Sequence, residues 1–361
     1  MKSPDYFSSN CYTDEMKLFS KFLANFYWEI GLDLGTSNIK IYVKNKGIVV
    51  DEASMVVRLK KKKNGIQKML IFGQKAKEMV NREPKQIEVV APINRGAIAD
   101  LVSAEALLAY FMKLVNEIPS SYPKILKPRV IVGVPGTISE VQKRAFRAIL
   151  SQVGVPKVIM VESSILGVIG SGFKFEESGG ILFLDIGGGK TEASLVSMGG
   201  VVISRGIEMG GDDFDESIIS YVKMKYGLFI GKNTAERVKI EMGGVIRGRD
   251  LETNLPKSIR LRAEEIKEAT ALNVKRIVNL VKVVLDEMPT EMTDDVLKRG
   301  VIMSGGGSQF PGIDTLIEEE VKINAAVLSS PSFGVVKGEG ELLEHHEWFE
   351  MVKLISNLSE R

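Results

Sequence analysis

Cysteine is nearly absent from this chain of 361 residues: Cys11 stands alone. A single thiol builds neither a disulfide framework nor a thiolate metal site, and it fits a reducing cytoplasm. Histidine is almost as scarce, with only His345 and His346, adjacent and near the C-terminus. Neighbouring residues on a helix face different ways, so a two-histidine metal site or a Ser-His triad is not expected. Excess charge is missing as well. The balance of 48 Lys and Arg against 46 Asp and Glu leaves +2, too little to call for nucleic acid, and no such partner is expected. No run of about 18 continuous apolar residues occurs, so no spanning helix is expected. What remains is a globular composition, long enough for two domains or one bilobal domain.

Two local features stand out from that background. Lys60 to Lys63 in "VVRLKKKKNGIQKMLIF" precede Asn64-Gly65 between two strand-like runs, the pattern of a hairpin with a basic tip. The tip is either a solvated turn or a contact for anionic lipid or a partner. Near the N-terminus, Met16, Phe19, Phe22, Leu23 and Phe26 fall at helical spacing, with Lys17 and Lys21 off the stripe. A small-residue cleavage site is lacking, so this is not a secretory signal. Such a segment could lie in a membrane interface or pack on the protein itself or a neighbouring copy.

The most informative pattern is an internal echo. "EIGLDLGTSNIKIYV" at 29–43 and "LFLDIGGGKTEASLV" at 182–196 both read as strand, Asp, glycine turn, strand, with Asp185 where Asp33 stood. Two copies roughly 150 residues apart indicate a duplicated α/β unit. A third strand and glycine turn, "GVIMSGGGSQFPGI", leads into the helical "IDTLIEEEV". Between them helical and strand periods alternate. "TISEVQKRAFRAILSQVG" has a Thr or Ser cap and stops at Gly154, and "SAEALLAYFMKLVNEI" and "RAEEIKEATALNVKRIVNLVKVVLDEM" are amphipathic helices. The class is α/β with glycine turns at strand ends, where open sheets bind ligands.

Glycines let backbone N–H groups close on phosphate oxygens as an anion nest. Thr36, Ser37 and Asn38 add hydroxyl and amide groups to the first turn, while Gly187, Gly188 and Gly189 leave the second bare. Asp33 and Asp185 could flank a triphosphate and hold hydrated Mg²⁺, which takes one or two carboxylates plus water. Glu236 and Lys239, at i, i+3 in "TAERVKIEMGG", suit ribose hydroxyls and an adenine edge. Gly305, Gly306, Gly307 and Ser308 would let a base and α-phosphate lie on bare backbone. "GGGKT" is not a Walker A loop, because GxxxxGK[ST] needs glycine at Leu184. No GxGxxG turn opens a helix, which disfavours a dinucleotide fold.

"GLDLGTSNIKIYVKNKGIVVDEAS", "KPRVIVGVPGTISEVQKRA", "FLDIGGGKTEASLVSMGGVV", "MGGDDFDESI", "IGKNTAERVKIEMG", "GRDLETNLPKSI" and "RGVIMSGGGSQFPGID" closely resemble, in order, the MreB family of bacterial actins. The resemblance runs from about residue 29 to about 340. It implies the actin/Hsp70 superfold, two ribonuclease H-like mixed-sheet halves closing on ATP (or GTP) and Mg²⁺. It also implies polymerisation into filaments at the cytoplasmic face of the membrane. The implied division is an extension at 1–26; a lobe I core at 27–58, 97–171 and 327–361 with a small subdomain at 59–96; and a lobe II core at 172–211 and 275–326 with a small subdomain at 212–274. Arg237 joins the implied nucleotide contacts alongside those already named.

The departures from the family are as informative as the matches. Its Glu-Glu-Pro becomes Glu162-Ser163-Ser164, and its Gly-Gly-Gly-Thr-Thr-Glu becomes Gly187-Gly188-Gly189-Lys190-Thr191-Glu192. The glutamate that orients the attacking water thus falls on Ser163, and the assisting threonine on Lys190. Losing a positioned base typically costs about 10²–10⁴ in rate, so weak or absent hydrolysis with retained binding is expected. Glu162 should point elsewhere. Lys190 would either meet the phosphate tail or point to solvent. A slow subunit could form long-lived filaments, in cell shape or in the motility of wall-less cells, or co-assemble passively with other paralogues. Tyr122, Ile125 and Leu126 sit where the family has a membrane-inserting loop, a second anchor beside Phe19, Phe22 and Phe26. A chaperone would need a substrate domain the chain has no room for, and a sugar or acetate kinase would need a catalytic motif it lacks.

Overall fold

The computed structural model describes residues 29–61, 67–118, 128–174 and 179–359. The N-terminal stripe with Phe19, Phe22 and Phe26, the hairpin tip from Lys62, and Tyr122, Ile125 and Leu126 lie outside the described residues.

Two five-stranded mixed sheets carry the molecule. In the first, strands run in the order Lys157–Glu162, Arg129–Val134, Glu29–Leu34, Asn38–Val43, Gly47–Ala53. In the second the order is Ala325–Val327, Val301–Ser304, Ile181–Ile186, Thr191–Ser197, Gly200–Ile207. Each begins with two parallel pairings and ends with two antiparallel ones. The sequence echo is therefore a repeat of topology. Alternation of apolar residues explains little here, because the central strands are covered on both faces: "ILFLDI" is buried at five of six positions.

Each sheet has its own apolar core. Leu32, Ile41, Phe111 and Val132 belong to the first, and Leu184, Phe214, Ile277 and Met303 to the second. A third cluster, including Ile131, Leu166, Phe183 and Leu342, joins the sheets through the helices Ser163–Gly170 and Gly334–Glu344. These two helices approach so closely that only glycine fits where they cross. A Cβ on Gly338 would stand 1.8 Å from the Leu166 carbonyl oxygen, and one on Gly170 would stand 2.0 Å from that of Gly334. Two further three-stranded sheets, Met69–Phe72 with Val56–Leu59 and Ile87–Val90, and Leu228–Phe229 with Gly244–Asp250 and Pro256–Leu261, stand one on each half.

Helix ends follow local chemistry. Ser139 opens the helix Glu140–Gln152 with a capping box to Gln142, and Asp100 accepts from the Ser103 amide at the start of Leu101–Glu117. Gly154, at φ 93°, takes the chain out of the first of these. The C-terminal helix begins at His346, separated by His345 from Gly334–Glu344.

Candidate functional site

Both central strands end at the same cleft. Asp33 and Asp185 are the penultimate residues of Glu29–Leu34 and Ile181–Ile186, and each is followed by a six-residue link to its antiparallel partner. Position for position, Gly35, Thr36, Ser37 and Asn38 correspond to Gly187, Gly188, Gly189 and Lys190. The turns meet face to face: a Cβ on Gly188 would fall 2.0 Å from Ser37 Oγ, and one on Gly189 would fall 3.0 Å from Thr36 Cγ2. The third turn closes the floor. Gly305, at φ 83°, lies so near Asp185 and Ile186 that a Cβ would meet the Ile186 carbonyl oxygen at 2.2 Å. The open cleft these turns line measures about 590 Å³, within the range of small-molecule sites.

Asp33, Thr36, Ser37, Asn38, Ser163, Asp185, Gly187, Gly188, Gly189, Lys190, Glu236, Lys239, Gly305, Gly306 and Gly307 all line this cavity. Two sequence candidates do not. Arg237 pairs at 2.6 Å with Glu241 and donates to the Val245 carbonyl oxygen at 2.9 Å, because i+4 geometry and the neighbouring hairpin hold it off the cleft. Ser308 is buried, its hydroxyl donating to the Gly305 carbonyl oxygen at 2.7 Å, so it shapes the third turn from behind.

Lys190 does not point to solvent: its side chain is 17% exposed and lines the cavity. Its ammonium donates to the Thr137 hydroxyl, across the cleft, and lies 3.8 Å from Glu192. Glu192 in turn accepts from the Gly136 amide at 2.8 Å and the Ser204 hydroxyl at 2.6 Å. Residues of the second sheet thus clasp the Pro135–Thr137 loop of the first. Burial pulls the Lys190 ammonium below the usual lysine range, with Glu192 opposing. As expected, Glu162 is not among the residues that line the cavity. A Cβ on Gly136 would meet Glu162 Oε2 at 2.6 Å and Glu192 Oε1 at 2.8 Å, which places the two carboxylates behind one glycine. Burial, then Glu192, raises the Glu162 carboxyl above its ordinary range.

The acids of the cleft differ in their company. Lys40 approaches Asp33 at 3.4 Å, Lys77 pairs with Glu236 at 2.8 Å across the cleft mouth, and Lys239 pairs with the buried Asp215 at 2.8 Å. Burial raises Asp215 to about 6 against the pull of Lys239. Asp185 has no ion-pair partner among the described residues. Burial, followed by the charges of Asp33 and Glu192, pushes it up to about 7. Two carboxylates that repel one another in a buried cleft are a fitting place for a cation. Their donor set, carboxylate oxygens beside solvent-accessible space, is the hard-oxygen kind that suits Mg²⁺.

Lys40, Thr137 and Glu192 were not singled out from sequence. Counting outward from the glycine turns places Lys40 opposite Asp33 and Glu192 opposite Asp185, and that count would have found two of them. Thr137 is brought in only by tertiary folding.

A family model described as MreB/Mbl protein matches residues 27–351. The cell shape-determining protein Mbl of Bacillus cereus is 38% identical over 327 residues, covering 88% of this chain and 96% of the relative. The cell shape-determining protein MreB of Escherichia coli K12 is 36% identical over 337 residues, covering 91% and 96%. Among solved structures, MreB5 of Spiroplasma citri bound to ADP aligns with a TM-score of 0.82 at 28% identity, covering 92% of this chain and 99% of that one. The MamK double helical filament shares the fold at a TM-score of 0.72 and 20% identity, covering 88% and 99%. A bilobal actin-like fold with twin glycine turns, matched over nearly its whole described length, makes this chain a member of the MreB/Mbl family.

Proposed function

We propose that this chain is a nucleotide-binding, actin-like filament subunit acting in cell shape or in the motility of wall-less cells, and that it turns over ATP slowly or not at all. The observation that carries the reading is the pair of Asp–glycine turns facing one another across the 590 Å³ cavity, whose lining includes Ser163 and Lys190, the residues the resemblance sets at the hydrolytic positions. Support comes from relatives named for determining cell shape and from MreB5 of Spiroplasma citri, solved with ADP and with AMPPNP.

In this reading the backbone amides of Gly35–Asn38 and Gly187–Gly189 bind the phosphates, and the third turn carries the base and α-phosphate. Glu236 and Lys239 face the ribose. Asp33 and Asp185 would hold Mg²⁺, which supplies positive charge to the phosphate oxygens when bound. Ser163 lines the cavity at the start of its helix, yet a hydroxyl cannot take up the proton of an attacking water as a carboxylate does. Lys190 is engaged by Thr137 and Glu192, so it serves to hold the lobes together where the family has its assisting threonine. Lobe and subdomain boundaries follow the family division given above. Membrane attachment falls to Phe19, Phe22 and Phe26 or to Tyr122, Ile125 and Leu126, strengthened by the avidity of a polymer.

Calorimetry with ATP and ADP, paired with sedimentation of polymer, tests the reading. Binding of nucleotide and a pelleting fraction that depends on it are expected. A chain that binds no nucleotide and stays in the supernatant contradicts the reading. Liposome co-sedimentation of a chain starting near residue 27 tests the anchor: undiminished binding rules out the N-terminal stripe.

A further inference from the structure

The two halves place opposite charges at equivalent positions. The strand partner of Asp185 is Glu192, whereas the strand partner of Asp33 is Lys40. Lys40 belongs to the cavity wall, and its side chain is only 9% exposed. Its ammonium stands 3.4 Å from Asp33 Oδ2 and 5.8 Å from the centre of the Phe333 ring. A buried ammonium persists only where an anion offsets its lost hydration; Asp33 is the carboxylate at ion-pair distance, and Asp185 and Glu339 lie near enough to feel the same charge. Glu339, also close by and fully buried, accepts from the Gly133 amide at 2.9 Å through Oε1, while its Oε2 has no hydrogen-bond partner.

A divalent ion in this cleft therefore meets an uneven pair of ligands. Asp185 lacks an ion-pair partner among the described residues, and Asp33 already has a fixed cation beside it. We propose that Lys40 acts as a resident cation, supplying at Asp33 part of the charge that a divalent ion brings to the phosphate tail, so that nucleotide binding by this chain depends only weakly on Mg²⁺. This rests on the nucleotide-binding reading of the cleft and makes Lys40 a positioning residue for the charged tail.

The experiment is calorimetric titration with ATP in Mg²⁺ and again in EDTA, for the full chain and for Lys40→Met and Lys40→Arg. The wild-type chain is expected to lose about tenfold or less in affinity without Mg²⁺, and Lys40→Met about a hundredfold, since one nearby charge is worth one to two decades. Lys40→Arg keeps the charge and is expected to follow wild type. Thermal unfolding of the nucleotide-free proteins verifies that each variant folds, and the wild-type ratio alone is decisive should one fail. A wild-type loss of a hundredfold or more, or the same ratio in Lys40→Met as in wild type, overturns the inference while leaving nucleotide binding intact. Absence of binding in both buffers brings down the nucleotide-binding reading itself, and this inference with it.

Discussion

The turn Gly35–Asn38 and the turn Gly187–Lys190 occupy the same place in two sheets of the same strand order, yet they do different work. The first is built from side chains. The Thr36 hydroxyl accepts from the Gly96 amide at 3.1 Å, the Asn38 amide donates to Asp51 at 2.8 Å, and Lys40 neutralises Asp33. The second is built from bare backbone. The Gly187 and Gly188 carbonyls accept from the amides of Gly211 and Asp212 at 2.9 and 2.8 Å, which seats the helix Gly211–Tyr226 on the turn. Its one charged side chain, Lys190, reaches the opposite lobe. A duplicated scaffold has kept its hydrogen-bonded frame while its two loops have divided the tasks of neutralising charge and tying the halves together.

Four substitutions break or sharpen this comparison. Glu192→Ala should have the largest effect. It removes the acceptor of the Gly136 amide and the Ser204 hydroxyl and leaves the Lys190 ammonium without its carboxylate. Loss of one partner of a buried pair costs about 3–5 kcal/mol, read from denaturant midpoints at unchanged slope. Next comes Gly188→Val, which drives a side chain into Ser37 and should cost about 1–3 kcal/mol, together with nucleotide affinity measured by calorimetry. The reciprocal Ser37→Gly opens space in the side-chain-built turn and should cost only about 0.5–1 kcal/mol through added backbone freedom.

The smallest effect concerns pH. Burial, followed by the charge of Asp33, holds the Glu339 carboxyl well above the ordinary range. The folded chain therefore keeps a proton that the unfolded chain releases, and this contribution is complete below the unfolded pKa and lost as pH rises through the raised one. Glu339→Gln, which keeps an acceptor for the Gly133 amide, should flatten that part of the stability–pH curve and stabilise the protein at its alkaline end. Unfolding midpoints measured across pH for both proteins decide it.

Much of this was legible in the sequence because it is written in short-range pattern. The echo of "DLGTSN" and "DIGGGK" announced the repeated strand and turn, and the glycines at Gly187–Gly189 and Gly305–Gly307 marked turns that the fold brings to one cavity. The pairing of Lys77 with Glu236 spans 159 positions and has no local signature. Neither has the reach of Lys190 to Thr137. Sequence does not reveal that the two halves close to within hydrogen-bonding distance, which is what gives Lys190, still in the cavity wall, the Thr137 hydroxyl as a partner. Glu339 lies in an amphipathic helix where a glutamate reads as surface, but that helix is sandwiched against the first sheet and the residue is fully buried. Glu162, expected to point elsewhere than the cleft, does not line it and lies beside Gly136 and Glu192, company that has no local signature.

The central claim is that the cleft holds a nucleotide while Ser163 and Lys190 disable its hydrolysis. Phosphate release, followed together with sedimentation for wild type and for Ser163→Glu/Lys190→Thr, addresses it most directly. The account predicts a slow wild type and a gain of about 10²-fold or more in the double variant, the worth of a positioned base, with altered polymer lifetime. Equal phosphate release by the two proteins would contradict it.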